Sequence, residues 1–95
     1  MYIVLLSYKK EISEVEKFSE AHIQFLNKYY TSKNFIASGR KNPRTGGFIL
    51  VRNIDKEGLS SIIKEDPFYK NEIANYEIVE VIPTKYDEGF ACFVE

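Results

Sequence analysis

The single histidine of this sequence, His22, falls where packing alone would favour an aliphatic side chain. At the helical advance of ~100° per residue, Val15, Phe18, His22, Phe25, Leu26 and Tyr29 share one stripe. Glu16, Lys17, Glu20, Gln24, Asn27 and Lys28 lie opposite. An imidazole in an apolar stripe has two readings. It is a packing residue with one hydrogen bond, or it is a general acid or base in a cleft, because imidazole titrates near physiological pH. Asp66 is the second candidate. It precedes Pro67 and reads as the N-cap of a helical turn with proline at its first position. An ionised carboxylate can also fix the tautomer of a histidine, and the two roles are compatible. The third candidate is Ser38-Gly39-Arg40 together with Pro43-Arg44-Thr45-Gly46-Gly47. As structure, it is a hairpin with solvated arginines. As function, its backbone N–H groups and arginines hold an anionic substrate, with Ser38, Gly39 and Arg44 as the contacts. It is not a P-loop, which needs Gly-x-x-x-x-Gly-Lys-Ser/Thr before a helix. Cys92 has no base beside it in sequence and reads as a buried or inert thiol. The chain contains no His-Glu-x-x-His, Gly-x-Ser-x-Gly, dinucleotide fingerprint or aromatic-basic RNA-binding motif.

The elements that must position these residues can be read in order. Tyr2 to Tyr8 is a β-rich, mostly apolar run ended by Lys9-Lys10, as expected of a central strand. A long helix opens near Glu11 or Ser13, with Glu11, Glu14 and Glu16 near its positive end, and stops at the polar stretch Thr31 to Asn34. Phe35 to Ser38 and Phe48 to Val51 are strands flanking the Gly/Pro/Asn-rich loop, which suggests a hairpin. Asp55 caps a second helix through about Lys64. Asp66-Pro67 starts a short extra turn through about Asn71. Tyr76 to Ile82 is the last strand, ended by Pro83. Residues 1–83 thus form one domain. Residues 84–95 form a tail whose Phe90, Cys92, Phe93 and Val94 pack on the domain or on a partner subunit.

Strand, helix, strand, strand, helix, strand is two split βαβ units, the α+β ferredoxin-like pattern. Right-handed crossovers place both helices on one face of a four-stranded antiparallel sheet. The opposite face is then bare. In a chain with 15% aromatic residues that face predicts a homodimer joined sheet to sheet.

The composition narrows the function. The chain has 95 residues, 44% of them hydrophobic, which fits one globular domain. Thirteen Lys plus Arg against fourteen Asp plus Glu leave a formal charge of −1, without the basic excess of a nucleic-acid or anionic-membrane binder. No apolar run approaches the ~20 residues of a membrane span, and no signal peptide is visible. One cysteine and one histidine exclude a Cys-based zinc site, an internal disulfide and a multi-His metal site within one subunit. That cysteine usage fits the reducing cytoplasm. No cofactor is expected.

Several of these segments together resemble a known family. Ala21-His22-Ile23-Gln24-Phe25-Leu26, Phe35-Ile36-Ala37-Ser38-Gly39, Gly46-Gly47-Phe48-Ile49-Leu50, Glu65-Asp66-Pro67-Phe68 and Tyr76-Glu77-Ile78 are similar, in order and spacing, to motifs of the YciI-like family of the dimeric α/β-barrel superfamily. The resemblance covers about residues 1 to 83. It implies a ferredoxin-like domain dimerising through its sheets. It also implies an active site on the family's His and Asp, here His22 and Asp66, with Ser38 lining the same pocket. Some relatives resemble lyases or dehydrochlorinases acting on small aromatic ring compounds. The segment Arg40 to Arg44 and the aromatic tail are less typical of the family.

Three hypotheses follow. The chain is a cofactor-independent lyase or isomerase in which His22 moves a proton, Asp66 orients it, and Ser38 and Arg44 hold a substrate oxygen. Alternatively, the same pocket is a non-catalytic binding or sensor site. In the third, His22 and Asp66 are a structural pair in a dimerisation scaffold, and apolar replacement of both is tolerated.

Overall fold

In the computed structural model, which describes residues 1–94, four strands form one antiparallel sheet. β1 is Tyr2–Tyr8, β2 Phe35–Arg40, β3 Gly46–Val51 and β4 Ala74–Glu80, and their order across the sheet is β2-β3-β1-β4. This is the ferredoxin-like α+β arrangement. The apolar first strand is central, as its composition predicts. β1 alternates in burial. Tyr2, Val4 and Leu6 are buried towards the helices, while Ile3, Leu5 and Ser7 point the other way. Ile49 and Val51 of β3 join Val4 and Leu6 in one core with Val15, Phe25 and Tyr29.

The first helical stretch differs from the single helix expected. It is divided into α1, Ile12–Lys17, and α2, Ser19–Thr31. At the junction Phe18 leaves helical geometry, and its N–H reaches Val15 one residue short, at 3.1 Å. The Ser19 hydroxyl donates to the same Val15 carbonyl at 3.3 Å. A side chain competing for a helix acceptor is a known cause of local bending. The apolar stripe nonetheless keeps its phase, with Val15, Phe25 and Tyr29 buried.

α3, Lys56–Ile63, is capped by Asp55, whose carboxylate accepts from the Gly58 N–H at 2.7 Å. It buries Leu59, Ile62 and Ile63. α4 is one turn, Pro67–Lys70, capped by Asp66. β4 spans Ala74–Glu80 rather than Tyr76 to Ile82, because it follows its partner. It pairs with β1 from Tyr8 to Tyr2, and Val81 then bonds only to the Met1 carbonyl at 2.9 Å. Ile82 is left 81% exposed.

The tail forms a 3₁₀ turn, Glu88–Phe93. Arg52 donates to the Cys92 carbonyl at 2.7 Å and lies over the Phe93 ring. Cys92 itself is exposed, which removes the buried alternative of the buried-or-inert reading, since its turn lies against an arginine rather than inside the core. Glu95 lies outside the described residues.

Candidate active site

The site begins with a β-bulge. Phe35 pairs with Val51, but Ala37 pairs with Leu50, so one residue is inserted into β2 near Ile36. One extra residue flips every later side chain to the other face. Ser38 and Arg40 therefore sit opposite Ile49 and Gly47, on the helix side. Gly39 sits opposite Phe48 on the bare side, where an added Cβ would press on the Phe48 ring at 2.9 Å. Gly47 places no side chain on the helix side of β3. A cleft of about 370 Å³ opens between this end of the sheet and α2. It is lined by His22, Ser38, Gly39, Arg40, Arg44 and Phe68, along with Tyr8, Ser19, Phe48 and aliphatic residues.

α2 and α4 together position the histidine. His22 Nδ1 lies 2.7 Å from Asp66 Oδ1. Asp66 is fully buried. Its Oδ1 also accepts from the Phe68 N–H at 2.9 Å, so the cap and the histidine partner are one atom. Its Oδ2 accepts from the Tyr76 hydroxyl at 2.5 Å. Burial first, then the charge of Asp66 and the hydrogen bond to it, pushes the Tyr76 phenol far above the ordinary tyrosine range. Tyr76 therefore stays a neutral phenol, and its hydroxyl donates to Asp66. With donors converging on both its oxygens, Asp66 acts as an acceptor, so Nδ1 of His22 carries the proton and donates it. Nε2 is then the basic nitrogen. It makes no hydrogen bond within the described residues, and the side chain, 16% exposed, borders the cleft. The Phe68 ring lies parallel to the imidazole at 4.0 Å between centroids and fixes its plane.

Ser38 is tied from the other side, its Oγ 2.7 Å from the Tyr30 hydroxyl. Arg44 borders the cleft with Nη1 3.3 Å from Glu16 Oε1. The structure thus gathers His22, Asp66, Ser38, Gly39 and Arg44 around one opening, Asp66 standing behind the imidazole. Sequence reasoning missed Tyr76, Tyr30 and the Phe68 stack. Tyr30 carried a weak signal, since eight residues beyond His22 it lies about 80° round the helix, at the edge of the same stripe. For Tyr76 there was only the period-two pattern shared with Ile78.

Comparison with known proteins agrees with this architecture. No curated protein matches the sequence. Among solved structures, the chain is similar to the 5-chloro-2-hydroxyhydroquinone dehydrochlorinase TftG of Burkholderia phenoliruptrix AC1100, determined in complex with 2,5-dihydroxybenzoquinone. The TM-score is 0.70 at 14% identity, over 85% of this chain and 93% of that one. At that identity the likeness is one of fold. A family model described as the YCII-related domain matches residues 1–85, and the chain belongs to that family.

Proposed function

We propose that this protein is a cofactor-independent small-molecule enzyme of the lyase or isomerase type, in which His22 and Asp66 transfer a proton at the substrate. One observation carries the reading. A fully buried carboxylate, already holding a backbone N–H and a tyrosine, is spent on orienting the only imidazole, whose other nitrogen is left unbonded beside a cleft. In the reaction, Nε2 takes a proton from a substrate carbon adjacent to a carbonyl or hydroxyaromatic ring. The electron pair moves into the ring or carbonyl and places negative charge on its oxygen. The imidazolium formed faces Asp66, which balances its charge. The pair then expels a leaving group, or the proton returns at another carbon. Ser38, supported by Tyr30, and Arg44 hold the charged oxygen, while Gly39 shapes the wall. The similar protein TftG is named a dehydrochlorinase, and loss of a proton with chloride is a reaction of this class. We further read the bare sheet face as a homodimer interface, in a cytoplasmic protein without nucleic-acid or membrane partners.

The test is deuterium incorporation. Small carbonyl and hydroxyaromatic acids and chlorinated hydroquinones are incubated with the protein in D₂O and followed by NMR. We expect at least one to exchange or eliminate, with the rate falling ~10²-fold or more in His22→Gln. Full activity in that variant ends the proposal. A ligand that stabilises the fold and is recovered unchanged, with no turnover of any compound, indicates the binding module instead.

A further inference from the structure

We infer that the cleft selects a small organic anion, an apolar ring bearing one carboxylate or phenolate, and that Arg44 reads the negative charge. The inference rests on the cleft proposed above as the active site and adds a substrate class to it. The chain as a whole carries a formal charge of −1, yet the residues bordering the cleft include Arg40 and Arg44 and no carboxylate. Asp66 is behind the imidazole, and its oxygens are occupied. The positive charge of this opening is therefore local and not opposed from within.

Arg44 is incompletely satisfied. Its contact with Glu16 is long, 3.3 Å, and joins side chains that are 34% and 60% exposed, a geometry in which water screens most of the attraction. Its Nε is buried with no hydrogen-bond partner, alone in this among the buried side-chain nitrogens and oxygens of the described residues. Native structures rarely leave such an N–H unpaired. An anion in the cleft that draws the guanidinium inward gives Nε and a neighbouring Nη two acceptors, the bidentate geometry for which arginine is suited.

The remaining wall sets the other half of the ligand. Leu6, Leu26, Ile49 and Phe68 are apolar, and Ile23 at the border is 54% exposed. Inorganic phosphate would satisfy Arg44 but leave this wall wet. A neutral ring would cover the wall but bring no negative charge to Arg44. The volume of about 370 Å³ accommodates one substituted ring.

The probes are benzoate, its neutral isostere benzamide, and inorganic phosphate, titrated calorimetrically into the full chain while the His22 ring signals are followed by NMR. We expect saturable benzoate binding that perturbs those signals, with benzamide and phosphate at least ~10-fold weaker. Arg44→Gln should reduce benzoate to the benzamide level, and Arg44→Lys, which keeps the charge but not the fork, should fall between. Circular dichroism confirms that both variants fold. Equal binding of benzamide and benzoate, unchanged affinity in Arg44→Gln, or no benzoate binding at millimolar concentration overturns the inference. It is separable from the catalytic proposal. Equal binding of benzoate and benzamide by the wild type, with His22-dependent exchange intact, refutes the anion site alone. Retained discrimination with exchange indifferent to His22 refutes the catalysis alone.

Discussion

His22 owes its orientation to Asp66 and its plane to Phe68, and these are separate constraints that substitution can distinguish. Alanine at Asp66 leaves the Phe68 N–H, the Tyr76 hydroxyl and the His22 Nδ1–H without their acceptor. Losing a buried acceptor costs about 1–3 kcal/mol for each donor stranded, and the donors here relax together. We therefore expect Asp66→Ala to lose roughly 3 kcal/mol or more in urea unfolding. Asp66→Asn should behave differently. Its carbonyl can take the place of Oδ1, accepting from Phe68 and His22, while its amide faces the Tyr76 hydroxyl, which can accept. The fold and the imidazole tautomer then survive, but the negative charge is gone. We expect stability within about 1 kcal/mol of wild type, unchanged ¹⁵N tautomer signatures for His22, and deuterium exchange down ~10²-fold. Equal loss of exchange and stability in both variants would make Asp66 a purely structural residue.

At the scale of elements, the site depends on how α2 is held over the junction of α3 and α4. Beyond the His22–Asp66 contact, Glu65 accepts from Lys28 at 2.8 Å and from the Tyr29 hydroxyl at 2.6 Å. The Lys28 hydrogen bond first, then that of Tyr29, holds the Glu65 carboxyl below its ordinary value of 4.5. A carboxyl depressed in the folded state contributes stability above its ordinary value and loses it as pH falls through the depressed one. Glu65 is 43% exposed, so the contribution is small. Glu65→Gln should melt a few degrees below wild type at pH 7, and the two should converge as pH falls below 4.5; a gap that persists in acid would assign the effect to packing. The same scale separates what was legible in the sequence from what was not. Periodicity gave the α2 stripe, and capping chemistry gave Asp55 and Asp66, because both are local rules. The Ser19 interruption and the Ile36 bulge were not legible. Each is decided by competition between neighbouring backbone partners that a single strand or helix pattern does not encode. The bulge matters most, since unbroken alternation from Phe35 would have turned Ser38 away from His22.

The whole molecule keeps its helices on one side of the sheet, and this leaves an apolar surface on the other. Register places Leu5 between Phe48 and Glu77, and Ile3 between Leu50 and Val79, all on that bare side. Topology predicted this face from the element order alone, whereas its residue content depends on register. Phe48 ties the face to the site, because its ring packs over Gly39 at the rim of the cleft. If two such faces pair, the dimer should be stable without any change in the fold of either chain, and one charge at its centre should undo it. Leu5→Lys is the suitable variant. The new ammonium lies directly across from Glu77 on the neighbouring strand, an opposite-charge cross-strand pair that helps retain the sheet of the isolated chain. In the dimer the same charge would be taken out of water, at a cost that one partner carboxylate does not fully offset. Sedimentation equilibrium at micromolar concentration should give a dimer for the wild type and a folded monomer for Leu5→Lys. A wild-type monomer would refute the sheet-to-sheet dimer. A Leu5→Lys dimer of undiminished affinity would place the interface elsewhere on the molecule.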